Sequence, residues 1–521
     1  MMDDGKSIFG LSRRQFVVGA SALAAASSLP GRAAFGASSK STASYLRRNV
    51  ENSSTQQTLE NYGKAVTAML KLPGTDPSNW YRQALVHTLD CPHGNWWFLP
   101  WHRGYLGWFE EICRKQSGDP AFALPFWDWT AQPYVPPAFI GTALDPTTSI
   151  FVDGFDQFTQ QYKAPFQAYF ESLGAAQRAE LTVRGYPTFD SLWSGLESFF
   201  FPRSQARANL TFDAPTRQAV SLPTVCSALA PQDFITFGSQ PVPQHSGSGG
   251  FGILEGQPHN QVHNRVGGFM GEFLSPVDPI FFGHHGNIDR LWDVWTTKQE
   301  AAGLPTVPSA DEGYQRWVDE PFLFYFDANG QPVAGAKAKA GAYVTIGDFD
   351  YSYEPGSATG LDGCNFSSAA QDFGQLPEAL MATKAVGLSN AARGRARVPA
   401  ELVAAASEDQ GPVLYAEIAI RPPSKDRDLR YHVLVNPPAE ATAVDYESPY
   451  YAATLEFFGS PHHLKGPASF LVPLPNVLKK LRAAGELNPE RPLDIHVVAD
   501  HKGIAMKSME ATLESVKLGV F

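Results

Sequence analysis

Seven of the chain's 13 histidines fall in three short runs whose spacing suits metal binding. The first, HTLDCPHGNWWFLPWHRGYL, holds His87, His93 and His102 together with Cys91. PHNQVHN holds His259 and His263, and DPIFFGHHGNIDRLW holds His284 and His285. A single buried imidazole reads first as a core residue whose nitrogens are hydrogen-bonded. Six imidazoles at these intervals read as ligands. His259 and His263 stand four apart, the interval at which two side chains share one helix face and can grip one ion. Asp289 follows His285 by four and could accept its outer ring N–H, as carboxylates behind metal-bound histidines do. Two sets of three nitrogen donors with no carboxylate placed to bridge them suit copper or zinc. Di-iron bundles lean on several glutamates and Glu-x-x-His pairs, and that pattern is absent from these runs.

Positioning these donors takes helices. NWYRQALVHTL, PWHRGYLGWFEEICRK, PHNQVHNRV and DPIFFGHHGNIDRLWDVWTTKQE all read as helical. In the second, Trp101, Tyr105, Trp108 and Ile112 recur at helical spacing, and His102 shares a neighbouring stripe with Leu106, Phe109 and Cys113, so it points inward. His87 ends the first helix, and His93 lies in the connection, where Cys91 could restrain it by a covalent link to the ring. Asp278 can cap the last helix, with Pro279 at its first position. Residues 133–250 are rich in Pro and Gly and read as long loops and short elements, with SGSGGFG (246–252) as a solvated connector. EPGSATGLDG marks a boundary. Beyond it VLYAEIAI, YHVLVNP, AATLEFF, ASFLVPL and LDIHVVAD read as strands of a compact, mainly antiparallel domain, with PNVLKKLRAAG as a short helix.

A chain of 521 residues exceeds what one core supports, which predicts two folded units. The net charge of -11 argues against nucleic acid or an anionic membrane surface as partner. Ser12 to Ala37 has the layout of an export signal: Arg13 and Arg14, an apolar run, then small residues. The run is shorter than the ~20 residues a membrane helix needs, and no other segment qualifies as an anchor. The four cysteines make neither a zinc motif nor a disulfide framework, although a bridge among Cys113, Cys226 and Cys364 is open in an oxidising compartment.

The three histidine runs resemble the two copper-binding signatures of the tyrosinase and polyphenol oxidase family, the type-3 copper proteins, and the resemblance covers roughly residues 45–355. It implies a mainly α catalytic core whose four-helix bundle holds two copper ions, with His87, His93 and His102 at the first and His259, His263 and His285 at the second. His284 becomes a pocket neighbour. Cys91 and His93 look like the Cys-x-His thioether of some members. Glu255 resembles a glutamate that holds a water, and Asn260 occupies a position linked to monophenol activity; together they could aim a basic water at a phenol. Phe273 stands near the gate residue over the metals.

DYSYE resembles the Tyr-x-Tyr motif that closes the family's core, and YYAATLEFFGSPHHLKG looks like the C-terminal β-sandwich of latent members. The implied division is an export signal of the twin-arginine type at 1–37, a catalytic domain at 38–355, a linker at 356–375 and a covering domain at 376–521. Tyr450, Tyr451, Phe457 and Phe458 are candidates for an aromatic plug that an activating protease would remove, and His462 and His463 for a copper-delivery pair. The implied activity is oxidation of small phenols by dioxygen in the periplasm or outside the cell. A catechol oxidase without monophenol activity, a haemocyanin-like oxygen carrier and a di-zinc hydrolase are the alternatives.

Overall fold

The computed structural model of the chain describes residues 43–364, 386–388, 391–423, 429–438, 444–459, 466–500 and 511–520. The segment 1–37, most of the linker and the pair His462 and His463 lie outside the described residues.

Four helical segments surround the histidines. Trp80–Asp90 starts where the Asn79 side chain accepts the N–H groups of Tyr81 and Arg82. Phe98–Ser117 and Ile280–Ala302 each end at a left-handed glycine, Gly118 and Gly303. Asp278 accepts the N–H of Ile280, so it caps as expected, although the helix begins one residue later than Pro279. The fourth is short: a π-turn, Glu255–His259, runs into Asn260–Val266. Phe109 and Phe282 stack at 3.5 Å between the two long helices. Gly107 lets the Phe349 ring lie against its helix, because a Cβ there would stand 2.3 Å from that ring. All 11 tryptophans are buried, and all fall between residues 80 and 317. The aromatic weight of the molecule therefore sits around the histidines.

Residues 133–250 are more regular than the sequence suggested. Gly154–Ser172 is a 19-residue helix whose inner face is Phe158, Tyr162, Phe166 and Phe170, followed by a second helix, Ala175–Arg184. Pro165 inside the segment masked an i, i+4 aromatic stripe. The 246–252 stretch is packed, not solvated: Asn95 donates to the carbonyls of His245 and Gly247, and the N–H groups of Gly249 and Gly250 donate to the Gly94 carbonyl.

The C-terminal part is a two-sheet sandwich. One sheet runs in the order Ala391–Ala396, Leu493–Asp500, Arg430–Val435, Tyr451–Leu455. The other runs Gly250–Phe251, Ala468–Pro473, Leu414–Arg421, Thr512–Val520, Val386–Gly387. Alternate residues such as Leu414, Ala416, Ile418 and Ile420 face Val433, Leu455 and Ile495 in one core. The pairing is antiparallel except where Gly250–Phe251, from the helical part, joins Ser469–Phe470 in parallel. Tyr451–Leu455 is an edge strand, and its chain continues across the histidines. No described helix is long and apolar enough to cross a membrane.

Candidate metal centre

The helices bring the ring nitrogens of His87, His93 and His102 within 4.8 Å of one another, and those of His259, His263, His284 and His285 likewise. The two groups abut. His102 stacks on His285 at 4.2 Å, and His93 on His259 at 5.5 Å. His263 and His285 bring their Nε2 atoms to 3.2 Å.

The outer nitrogens explain why the inner ones converge. Nδ1–H of His87 donates to the Phe273 carbonyl at 2.8 Å, that of His102 to Phe98 at 2.8 Å and that of His263 to Met270 at 2.6 Å. His259 Nδ1 donates to Oδ1 of Asn260 at 2.8 Å. The Nε2 atoms of His87, His93, His102 and His259 are buried with no hydrogen-bond partner among the described residues. Burial is the first cause of low basicity throughout: it pushes His87 and His259 down to about 3 and the other five well below the usual range. These are neutral imidazoles with lone pairs aimed at one another, the form a metal ligand takes. The donor set is all nitrogen and fits a pair of borderline ions.

Several other expectations meet the geometry here. His284 lies next to the second set of ligand candidates, its ring 4.8 Å from that of His263, and both its nitrogens lack partners among the described residues. Cys91 Sγ stands 3.5 Å from Nδ1 of His93. Phe273 puts its ring 5.5 Å from His93, and its carbonyl orients His87. Glu255 is buried, with Oε1 accepting the Gly94 N–H at 2.6 Å and Oε2 the Ser239 hydroxyl at 2.7 Å. Burial outweighs these bonds and lifts its carboxyl to about 8.

Asp289 does not serve His285. Its oxygens accept from Arg103 at 2.7 Å, Tyr351 at 2.5 Å and Tyr353 at 2.7 Å, with Arg47 at 3.5 Å, while Nδ1 of His285 has no partner among the described residues. Two guanidiniums and two phenols saturate the carboxylate. Of the four aromatic plug candidates, the fold brings only Phe458 to the histidines, 4.2 Å from His263 and 4.9 Å from His93 between ring centres. Tyr451 bonds Thr454, Phe457 packs on Phe251 and Phe470, and Tyr450 packs against the sandwich core. Alternation along an extended chain turns Phe457 and Phe458 to opposite sides.

Some neighbours had no signal in the histidine spacing. His245 is wholly buried, with Nδ1 2.7 Å from Glu320 and Nε2 2.9 Å from Asp90 and 3.4 Å from Glu180. Burial alone would lower it, but these carboxylates raise it to about 9. Arg184 donates to the carbonyls of Asp90 and Cys91 beside them. Asn260, Gln261 and Asn264 donate to the chain that carries Phe458. Amides on a helix that also carries two buried histidines were the available sign of something polar packed against it.

Residues 76–298 match the model of the common central domain of tyrosinase. The chain is 32% identical over 289 residues to a chloroplastic polyphenol oxidase of Malus domestica, a match covering 51% of this chain and 42% of that protein. It is 30% identical over 310 residues to a tyrosinase of Hahella sp., covering 53% of this chain and 57% of that one. The chain thus spans about half the length of these curated relatives. In fold it is similar to latent apple tyrosinase, with a TM-score of 0.57 and 20% identity over 91% of this chain and 97% of that one. A latent aurone synthase (polyphenol oxidase) from natural source gives 0.59 and 18% over 93% and 90%. These two likenesses extend through the sandwich.

Proposed function

From a chain that belongs to the tyrosinase and polyphenol oxidase family, carrying its central domain at residues 76–298, we propose a copper-dependent oxidase of phenols. It takes o-diphenols to o-quinones, and it hydroxylates monophenols at the ortho position first. The observation that carries this reading is the pair of abutting imidazole groups whose nitrogens converge, those of His87, His93, His102 and His259 without a partner among the described residues, with no carboxylate in either group. His87, His93 and His102 would hold one copper ion, and His259, His263 and His285 the other, with His284 beside them. A copper pair held there would supply the activation of dioxygen and the redox capacity for oxidising a phenol.

The rest is work for the protein's own groups. Phe273 and Phe458 wall the space over the histidines and keep it dry. Asn260 holds the orientation of His259. Glu255, whose buried carboxyl exchanges its proton near neutral pH, can pass a proton to or from an incoming phenol through a water. Cys91 is near enough to His93 for a thioether to fix that ring.

The Phe458 ring stands where a phenol would lie, so the sandwich keeps the enzyme latent until a protease cuts between the two parts. Export by the twin-arginine route belongs to the same proposal, from Arg13 and Arg14 and from the Cys226–Cys364 disulfide, which suits an oxidising compartment. Oxygen uptake on a monophenol and its o-diphenol, by copper-loaded chain before and after limited proteolysis, tests the reading. Little uptake before and oxidation of both after is expected. Oxidation of the diphenol alone makes it a catechol oxidase and removes the role given to Glu255 and Asn260. Reversible oxygen binding without turnover in either form makes it a carrier.

A further inference from the structure

The histidines of the first group are not held alike. His87 and His102 sit on helices, and each donates Nδ1–H to a main-chain carbonyl. His93 lies in the loop between those helices, where its Nδ1 meets Cys91 Sγ at 3.5 Å and, among the described residues, no carbonyl. Its place therefore depends on how residues 90–95 are held.

Both ends of that loop close on one residue. At the near end the Asp90 carboxylate accepts His245 Nε2–H at 2.9 Å through Oδ1 and Trp101 Nε1–H at 2.8 Å through Oδ2. At the far end Asn95 Nδ2 donates to the His245 carbonyl at 3.0 Å and to that of Gly247 at 2.6 Å. Beside them Arg184 donates to the carbonyls of Asp90 at 2.5 Å and Cys91 at 2.9 Å. His245 is fixed in turn by Glu320, whose Oε1 accepts its main-chain N–H at 2.9 Å and its Nδ1–H at 2.7 Å. A core histidine needs partners for its ring alone. Here ring and carbonyl together bracket the segment that carries His93.

We propose that His245 is a positioning residue for the first metal site: by holding Asp90 with its ring and Asn95 with its carbonyl, it sets the loop from which Cys91 and His93 reach the centre. This rests on the metal-centre reading above. The charged groups facing the ring are Asp90 at the end of one helix, Glu180 and Arg184 on the helix Ala175–Arg184, and Glu320 just after the helix Tyr314–Asp319. Loss of the imidazolium leaves three carboxylates around a neutral group with Arg184 as their nearest cation, and Asp90 loses its hold on the loop.

The test compares copper-loaded His245→Gln with the unsubstituted chain. Bound copper is counted against a chelator, isolated cupric ions are read by EPR, and peptide mapping after diethyl pyrocarbonate finds imidazoles that no metal protects. The unsubstituted chain should keep two ions and protect both groups. His245→Gln should lose the first-site ion about tenfold or more readily, show the signal of an isolated ion, and carry label on His93 while His259 and His263 stay protected. Equal retention of both ions, or loss of both together, overturns the positioning role and leaves His245 a contributor to stability alone. An unsubstituted chain that holds no copper pair overturns the metal-centre reading instead.

Where His245→Gln does not fold, pH replaces the substitution in the unsubstituted chain. His245 keeps its charge up to about 9, above its ordinary value, so the hold is complete at neutral pH and fades as pH climbs through 9. Copper-loaded chain is exposed to chelator at about pH 8 or about pH 10, then returned to neutral pH for labelling. The labelling of His93 relative to His259 should rise about tenfold between the two, and a constant ratio overturns the proposal.

Discussion

His245 and His259 are both wholly buried, yet the first is held charged to about pH 9 and the second has its basicity pushed down to about 3. Around His245 stand Asp90, Glu180 and Glu320, which supply the negative charge that a buried imidazolium needs. Around His259 stand other imidazoles, aromatic rings and the Asn260 amide, none of them anionic. The same side chain becomes a cation that ties elements together in one place and a bare nitrogen donor in the other. The molecule keeps the two environments apart: Asp90, Glu180 and Glu320 gather around His245, while neither converging group of described histidines includes a carboxylate.

Asp289 belongs to the first kind of environment, although its spacing from His285 placed it in the second. Burial works to raise its carboxyl, and Arg103 and Arg47 hold it below the usual range. It locks the strand Tyr351–Tyr353 to the helix Ile280–Ala302 and leaves the imidazoles alone.

Substitutions on the two sides should separate cleanly. The largest effect is expected for His263→Ala, since losing even an outer hydrogen-bond partner of a ligand costs about 10–100-fold. Phenol oxidation by the proteolysed protein should fall by roughly a thousandfold or more, and bound copper should drop by metal analysis. Full copper retention would remove His263 from the ligand set.

Asp289→Ala should act on the fold. It strips the buried Arg103 guanidinium of the carboxylate it bonds, while Arg47 keeps Glu110 at 2.8 Å, and should cost about 3 kcal/mol in denaturant unfolding of the copper-free chain. Unchanged stability with weakened copper binding would return Asp289 to the role of orienting His285.

His245→Gln should cost about 3 kcal/mol near pH 6.5, because the folded-state basicity of His245, about 9, lies above its ordinary value. A raised value gives stability that is complete below the ordinary range and fades as pH climbs through 9. The two unfolding curves should therefore converge above pH 9, and a pH-independent gap would break the contrast with His259. The smallest effect is expected for Asn260→Ala, which deprives His259 Nδ1 of its acceptor: copper affinity at the second site should weaken by about tenfold in a chelator titration.

The donor residues were legible because metal binding demands few residue types at short intervals. His87, His93, His102, His259, His263 and His285 all reach the centre from spacing and family resemblance read together. The helices around them and most strands of the sandwich were legible for a similar reason, since a period of 3.6 or 2 is a local property. The helix Gly154–Ser172 was not, because Pro165 inside it and the prolines before it hide a one-residue-in-four stripe.

What only the tertiary structure decided were pairings across long chain separations. Asp289 could be matched to His285 by spacing, but its real partners, Arg47, Tyr351 and Tyr353, lie far along the chain and compete for the same lone pairs. Four aromatics near residue 455 were equivalent as text. One became the ring over the histidines because the edge strand docks by its carbonyls, and that docking turns Phe458 inward and Phe457 back into the sandwich. Residue types and local periods determine which groups can do chemistry. Which of them meet depends on how distant segments satisfy each other's charges and hydrogen bonds.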